Sequence, residues 1–144
     1  MNSKGIIALS LGAAISAGTG IAHMSCIFLG PACYKAQLAP PVIVRSAVDG
    51  TLLAPVGTVL ISSLFFACAI FAASGAGFIK KMPLLSLALL TIAILCVLRG
   101  LATIPSSYFF PEFVSTFSLL AGFIWFVTGC LYLYGFYCVR KASL

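Results

Sequence analysis

Apolar residues along the chain fall into four runs of membrane length, and polar or turn-forming residues collect between them. The runs cover 5–22, 55–79, 83–104 and 113–136, each close to the ~20 residues that cross a hydrocarbon core as a helix. The stretch 23–54 breaks the pattern. It is apolar overall but carries Gly30-Pro31, Pro40-Pro41 and Asp49-Gly50, pairs that stop helices and make turns. Within it, 41–48 starts on a proline suited to a first helical turn and ends before Asp49-Gly50, which predicts a short helix lying at the membrane interface or dipping into the bundle. The predicted fold is an all-α membrane protein: a four-transmembrane-helix bundle with a long, partly helical outer loop between the first and second spans. The 144 residues leave no room for a second folded domain, so 1–144 is expected to form a single integral membrane domain. A loop this apolar is expected to pack over the bundle mouth, because irregular backbone near lipid needs protein partners.

The other connections are short. Lys81-Met82-Pro83 joins the second and third spans as an antiparallel hairpin, and 105–111 joins the third to the fourth, with Tyr108, Phe109 and Phe110 at headgroup level. Small residues mark helix faces. Gly12, Ser16 and Gly20 recur every four residues in the first span, and Ser115, Ser118, Gly122, Trp125, Gly129 and Tyr132 recur at three- and four-residue steps in the fourth. Such stripes let helices approach closely, which makes Gly12, Ser16, Gly20, Ser118, Gly122 and Gly129 the expected helix-packing positions.

Composition strengthens the membrane assignment. The chain is 62% hydrophobic and 7% charged, with a mean hydropathy of +1.22, far outside soluble globular usage. A net charge of +6 raises nucleic acid as a partner, but the basic residues stand in ones and twos at the ends of apolar runs. Their expected partners are anionic membrane lipids, and no nucleic-acid partner is expected. With four spans, Lys4, Lys80, Lys81, Arg140 and Lys141 fall on one side, against Lys35 and Arg45 on the other. The positive-inside rule then places both termini and the Lys80-Lys81 turn in the cytoplasm, and the long loop outside, with a bacterial inner (plasma) membrane as the expected location. The first run also fits a signal peptide ending at Gly20-Ile21-Ala22; the expectation is that it is retained as a span.

Arg99 stands about five residues before the end of the third run. A cation at that depth costs a few kcal/mol, so it should face protein, water or an anion, or snorkel to the interface. The topology gathers His23, Lys35, Arg45, Asp49, Arg99 and Glu112 at the outer end. Asp49 and Glu112 are the only carboxylates, which leaves Arg99 three roles: a clamp with one of them, simple snorkelling, or an anchor for an anionic or polar headgroup. His23, the only histidine, is either an interfacial hydrogen-bonding residue or a proton donor and acceptor beside Asp49 or Glu112. One histidine excludes bis-histidine haem within the chain, and no His/Cys/carboxylate set has zinc spacing, so neither cofactor nor metal is expected. No residue is assigned a catalytic role, since Gly-x-Ser-x-Gly is absent.

Of six cysteines, Cys68, Cys96, Cys130 and Cys138 fall in apolar runs, where a thiol acts as a small hydrophobe. Cys26 and Cys33 fall in the outer loop, where a disulfide would persist and brace the chain around Gly30-Pro31. Cys-x-x-Cys, the spacing expected of a redox enzyme, is absent.

The leading functional expectation is a small polytopic membrane protein acting as an accessory or structural subunit, packed through its glycine and serine stripes against a membrane-protein partner or a second copy. The alternative is a binder or carrier of a lipid-like or amphipathic small molecule in an outer-leaflet cavity around Arg99. A third is a membrane enzyme acting on a lipid or quinone through His23.

Overall fold

The computed structural model describes residues 2–109 and 114–142. Helix makes up 84% of the described residues, and no strand occurs among them. In order the helices are α1 (Ser3–Leu29), α2 (Pro31–Ala36), α3 (Pro41–Val48), α4 (Leu53–Ala76), α5 (Leu85–Leu101), α6 (Thr103–Phe109) and α7 (Thr116–Lys141). Four helical stretches, Ser3–Leu29, Leu53–Ala76, Leu85–Phe109 and Thr116–Lys141, are long and apolar enough to cross a membrane.

The helix ends differ from the hydropathy boundaries for local reasons. α1 runs past Ala22 to Leu29, because no breaker precedes Gly30-Pro31, and Gly30 then turns the chain at a φ of 75°. The stretch from His23 thus begins as helix. Beyond α5, residues 105–109 are helical rather than loop: Pro105 sits in the first turn of α6, where its missing N–H is not needed. α7 starts at Thr116, capped by Ser115, whose side chain accepts the Ser118 N–H at 3.2 Å while the Ser118 hydroxyl accepts the Ser115 N–H at 3.4 Å. This reciprocal capping box fixes the first turn. Arg140 and Lys141 occupy its last turn, where the helix dipole favours cations.

By contacts the chain divides into two compact units, one formed by 1–15 with 68–144 and the other by 16–67. In the first, Leu9, Ala72, Leu89, Ala93 and Tyr132 form the core. Tyr132 is fully buried, and its hydroxyl lies 3.0 Å from the Cys68 carbonyl and 3.5 Å from that of Gly12. α5 and α7 meet nearly backbone to backbone: a Cβ placed on Gly129 would lie 2.7 Å from the Val97 nitrogen, and one on Gly100 would lie 2.8 Å from the Gly122 carbonyl oxygen. Only glycine fits there.

α4 ends in a Schellman turn, with the Phe78 N–H on the Ala73 carbonyl at 3.0 Å and Gly77 at a φ of 85°. Ser74 holds the connection that follows. Its hydroxyl donates to the Lys80 carbonyl at 3.2 Å and accepts the Met82 N–H at 2.9 Å.

In the second unit the buried centre is Cys26, Tyr34 and Ala54. Ser46, on α3, reaches the start of α4: its side-chain oxygen accepts the Ala54 N–H at 2.8 Å and lies 2.6 Å from the Thr51 hydroxyl. Leu60, Leu64, Leu95 and Phe123 are among the large apolar side chains that the chain itself leaves uncovered, an amount of apolar surface that water does not tolerate.

Candidate functional site

The unit 16–67 contains a cleft of about 350 Å³. Its walls are largely apolar, from Leu38, Ala39, Pro40, Ile43 and Ile61, and four polar side chains line it: His23, Tyr34, Gln37 and Thr58. A cavity of this size with few, fixed polar groups has the anatomy of a small-molecule site.

Each polar group is placed by the local fold. His23 lies on α1 and its Nδ1 is 3.0 Å from the Thr19 carbonyl. A carbonyl oxygen only accepts, so Nδ1 carries a proton, and in the neutral tautomer this selects, Nε2 is the acceptor. Phe65 packs against the same ring, with centroids 5.2 Å apart at 56°. Tyr34, buried on α2, has its hydroxyl 3.0 Å from that of Thr58 on α4. Thr58 in turn donates to the Ala54 carbonyl at 2.8 Å. Gln37, just past α2, donates its amide to the Ala22 carbonyl at 2.8 Å.

Cys26, on α1, and Cys33, on α2, form a disulfide with Cα atoms 5.1 Å apart, and Cys26 lines the cleft. The bond ties α2, and with it Tyr34, to the end of α1. At the end of α2, Leu38 takes a left-handed φ of 55°, donating its N–H to the Lys35 carbonyl while Ala39 donates to that of Tyr34. This is a Schellman turn with leucine where glycine is usual, a strained conformation held at a cleft-lining residue.

Of the other residues singled out in the sequence, Arg45 and Asp49 are exposed at the end of α3, Arg99 is exposed in the last turn of α5, and none of the three lines this cleft. Asp49 and Arg99 belong to different units, and Glu112 lies outside the described residues. A second cleft, of about 320 Å³, lies in the other unit, lined by Thr103, Ser107, Gly122 and Phe126 among others but not by Arg99. Its hydroxyls are turned to backbone carbonyls one turn earlier in the chain: Thr103 donates to the Arg99 carbonyl and Ser107 to that of Ile104.

The small-residue positions are covered from within the chain. Gly12 abuts the Tyr132 ring, Gly20 the Phe66 ring, Gly122 Thr103 and Gly129 Val97; Ser16 is buried, and Ser118 closes the α7 cap. No group of three or more potential metal-ligating side chains occurs among the described residues.

Sequence reasoning singled out His23 but passed over Tyr34, Gln37 and Thr58. The available signal was Tyr34 itself: a tyrosine between two breaker pairs in an apolar loop is set to be buried, and a buried tyrosine hydroxyl needs a partner.

The four membrane-length helices mark an integral membrane protein. No protein-family model matches the chain, and no curated protein and no solved structure matches it.

Proposed function

We propose that this protein binds a lipid-like or amphipathic small molecule in the cleft of the 16–67 unit. It does so as a four-helix protein of a plasma membrane, inner membrane if bacterial, with both termini and the Lys80-Lys81 turn in the cytoplasm. One observation carries the assignment: apolar walls converge on four positioned polar side chains in a cavity of about 350 Å³. The distribution of Lys4, Lys80, Lys81, Arg140 and Lys141 supports the orientation. The site moves from Arg99, which lines neither cleft, to His23 and Tyr34. An accessory subunit would dock through its glycine and serine stripes. With Gly12, Gly20, Gly122 and Gly129 covered from within, it keeps only the uncovered leucine and phenylalanine surface, which lipid satisfies equally well.

Native mass spectrometry of the protein gently extracted from its own membranes tests this. The expected result is a small molecule retained on a lone chain. Gly57 also lines the cleft, and a Cβ there meets only Ile43, at 3.7 Å, so Gly57→Leu is expected to fill the cavity and expel that molecule while the protein stays folded. A stoichiometric second protein, with no small molecule in either variant, would transfer the assignment to the accessory-subunit role.

A further inference from the structure

We infer that the cleft selects a neutral long-chain alcohol, held by its hydroxyl acting as the hydrogen-bond donor; this rests on the binding role proposed above and names the ligand class.

Thr58 has one hydroxyl proton, and it lies on the Ala54 carbonyl. The 3.0 Å contact between Tyr34 and Thr58 must then use the tyrosine proton, leaving Tyr34 with oxygen lone pairs alone. His23 places its Nδ1 proton on the Thr19 carbonyl, which in the neutral tautomer makes Nε2 the acceptor. The Gln37 amide faces the Ala22 carbonyl at 2.8 Å and the Cys33 sulfur at 3.6 Å, which occupies both N–H bonds and leaves its carbonyl oxygen. All four polar side chains of the cleft therefore offer acceptors. A ligand that is itself only an acceptor, such as a quinone, ketone, ester or ether, finds no proton here, and buried unpaired acceptors on both sides are costly.

Charge narrows the class further. No Lys, Arg, Asp or Glu lines the cleft, so a carboxylate, phosphate or ammonium would be desolvated without a counter-ion. A neutral hydroxyl supplies the donor without that penalty. Size sets the rest: at the roughly 30 Å³ a water takes up in the liquid, 350 Å³ holds about a dozen non-hydrogen atoms, enough for the head and first part of an aliphatic or isoprenoid alcohol whose tail leaves through the open side.

The experiment uses the full-length protein in nanodiscs and photoprobes with a diazirine on the alkyl chain, with labelled peptides mapped by mass spectrometry. The dodecanol probe is expected to label 38–43 and 57–61. Competition at matched membrane concentrations by dodecanol should be roughly tenfold stronger than by 1-methoxydodecane, dodecanoate or dodecylammonium, as one hydrogen bond implies. Thr58→Val removes the acceptor of the tyrosine proton, releases that proton into the cleft, and is expected to shrink the alcohol-over-ether preference severalfold. Equal or stronger competition by the ether or the acid, or an unchanged preference in Thr58→Val, overturns the alcohol inference and leaves a binding cleft. No labelling of 38–43 or 57–61 by alcohol, ether, acid or amine probes overturns the cleft as a binding site.

Discussion

In the unit of 1–15 and 68–144, α5 and α7 touch at Gly100, Gly122 and Gly129 around a fully buried Tyr132. In the unit 16–67, two short helices are instead held by a disulfide, a tyrosine–threonine hydrogen bond and the Ser46 cap. The first brings its helices together at glycines, and the hydroxyls in its own cleft are turned to backbone carbonyls. The second keeps a space of about 350 Å³ open, and its fixings are directional bonds that hold walls apart. Close packing of long helices gains from every contact and needs no directional fixing. Short helices α2 and α3, too short to be stable alone, need point fixings, and point fixings can frame a cavity.

The largest expected effect breaks the packed unit. Gly129→Leu would drive a branched side chain into Val97 and the Ala93 carbonyl, a backbone collision that costs about 3 kcal/mol or more. Thermal unfolding in detergent should show the loss, and hydrogen exchange should rise along α5 and α7 while α2 and α3 keep their protection. Next comes the staple. Replacing Cys26 and Cys33 together with alanine should destabilise the 16–67 unit by about 2 kcal/mol, read as faster exchange across 31–54 with α7 unchanged. If either change loosened both units equally, the contrast drawn here would fail, and the chain would melt as one cooperative body. The smallest effect sharpens it. Leu38→Gly relieves a left-handed leucine and should raise stability by about 1 kcal/mol, yet it removes a cleft wall, so retained ligand or probe labelling should fall as the melting temperature climbs.

The four membrane-length helices were legible in the sequence because burial in lipid demands length and apolarity, both one-dimensional properties. Their ends were less so. His23, Ser25 and the two loop cysteines look like the end of a span, but a helix stops where its backbone must, at Gly30-Pro31, and each of these polar groups finds a carbonyl or a sulfur within reach of α1. Ser115 and Ser118 fit the small face of the fourth run by spacing, whereas their hydroxyls serve the open N–H groups at the helix start. His23 was identifiable as the single histidine. Tyr34 and Thr58, 24 residues apart, could not be paired from spacing, since their meeting depends on the turn at Gly30 and the placement of α3. Arg99 drew attention because charge in an apolar run is conspicuous; exposed in the last turn of α5, it lies where the carbonyl ends favour a cation.

The Ser74 clasp on the turn after α4 also bears on how the chain is made. The connector 77–84, roughly eight residues, spans at most about 29 Å when fully drawn out, and with Ser74 gripping Lys80 and Met82 its reach is shorter still. A bilayer core is ~30 Å thick, so the end of α4 and the start of α5 share a side once both are in the membrane. As the chain leaves the ribosome, the orientation taken by α4 therefore decides that of α5, and any charge carried on the turn acts on both helices at once.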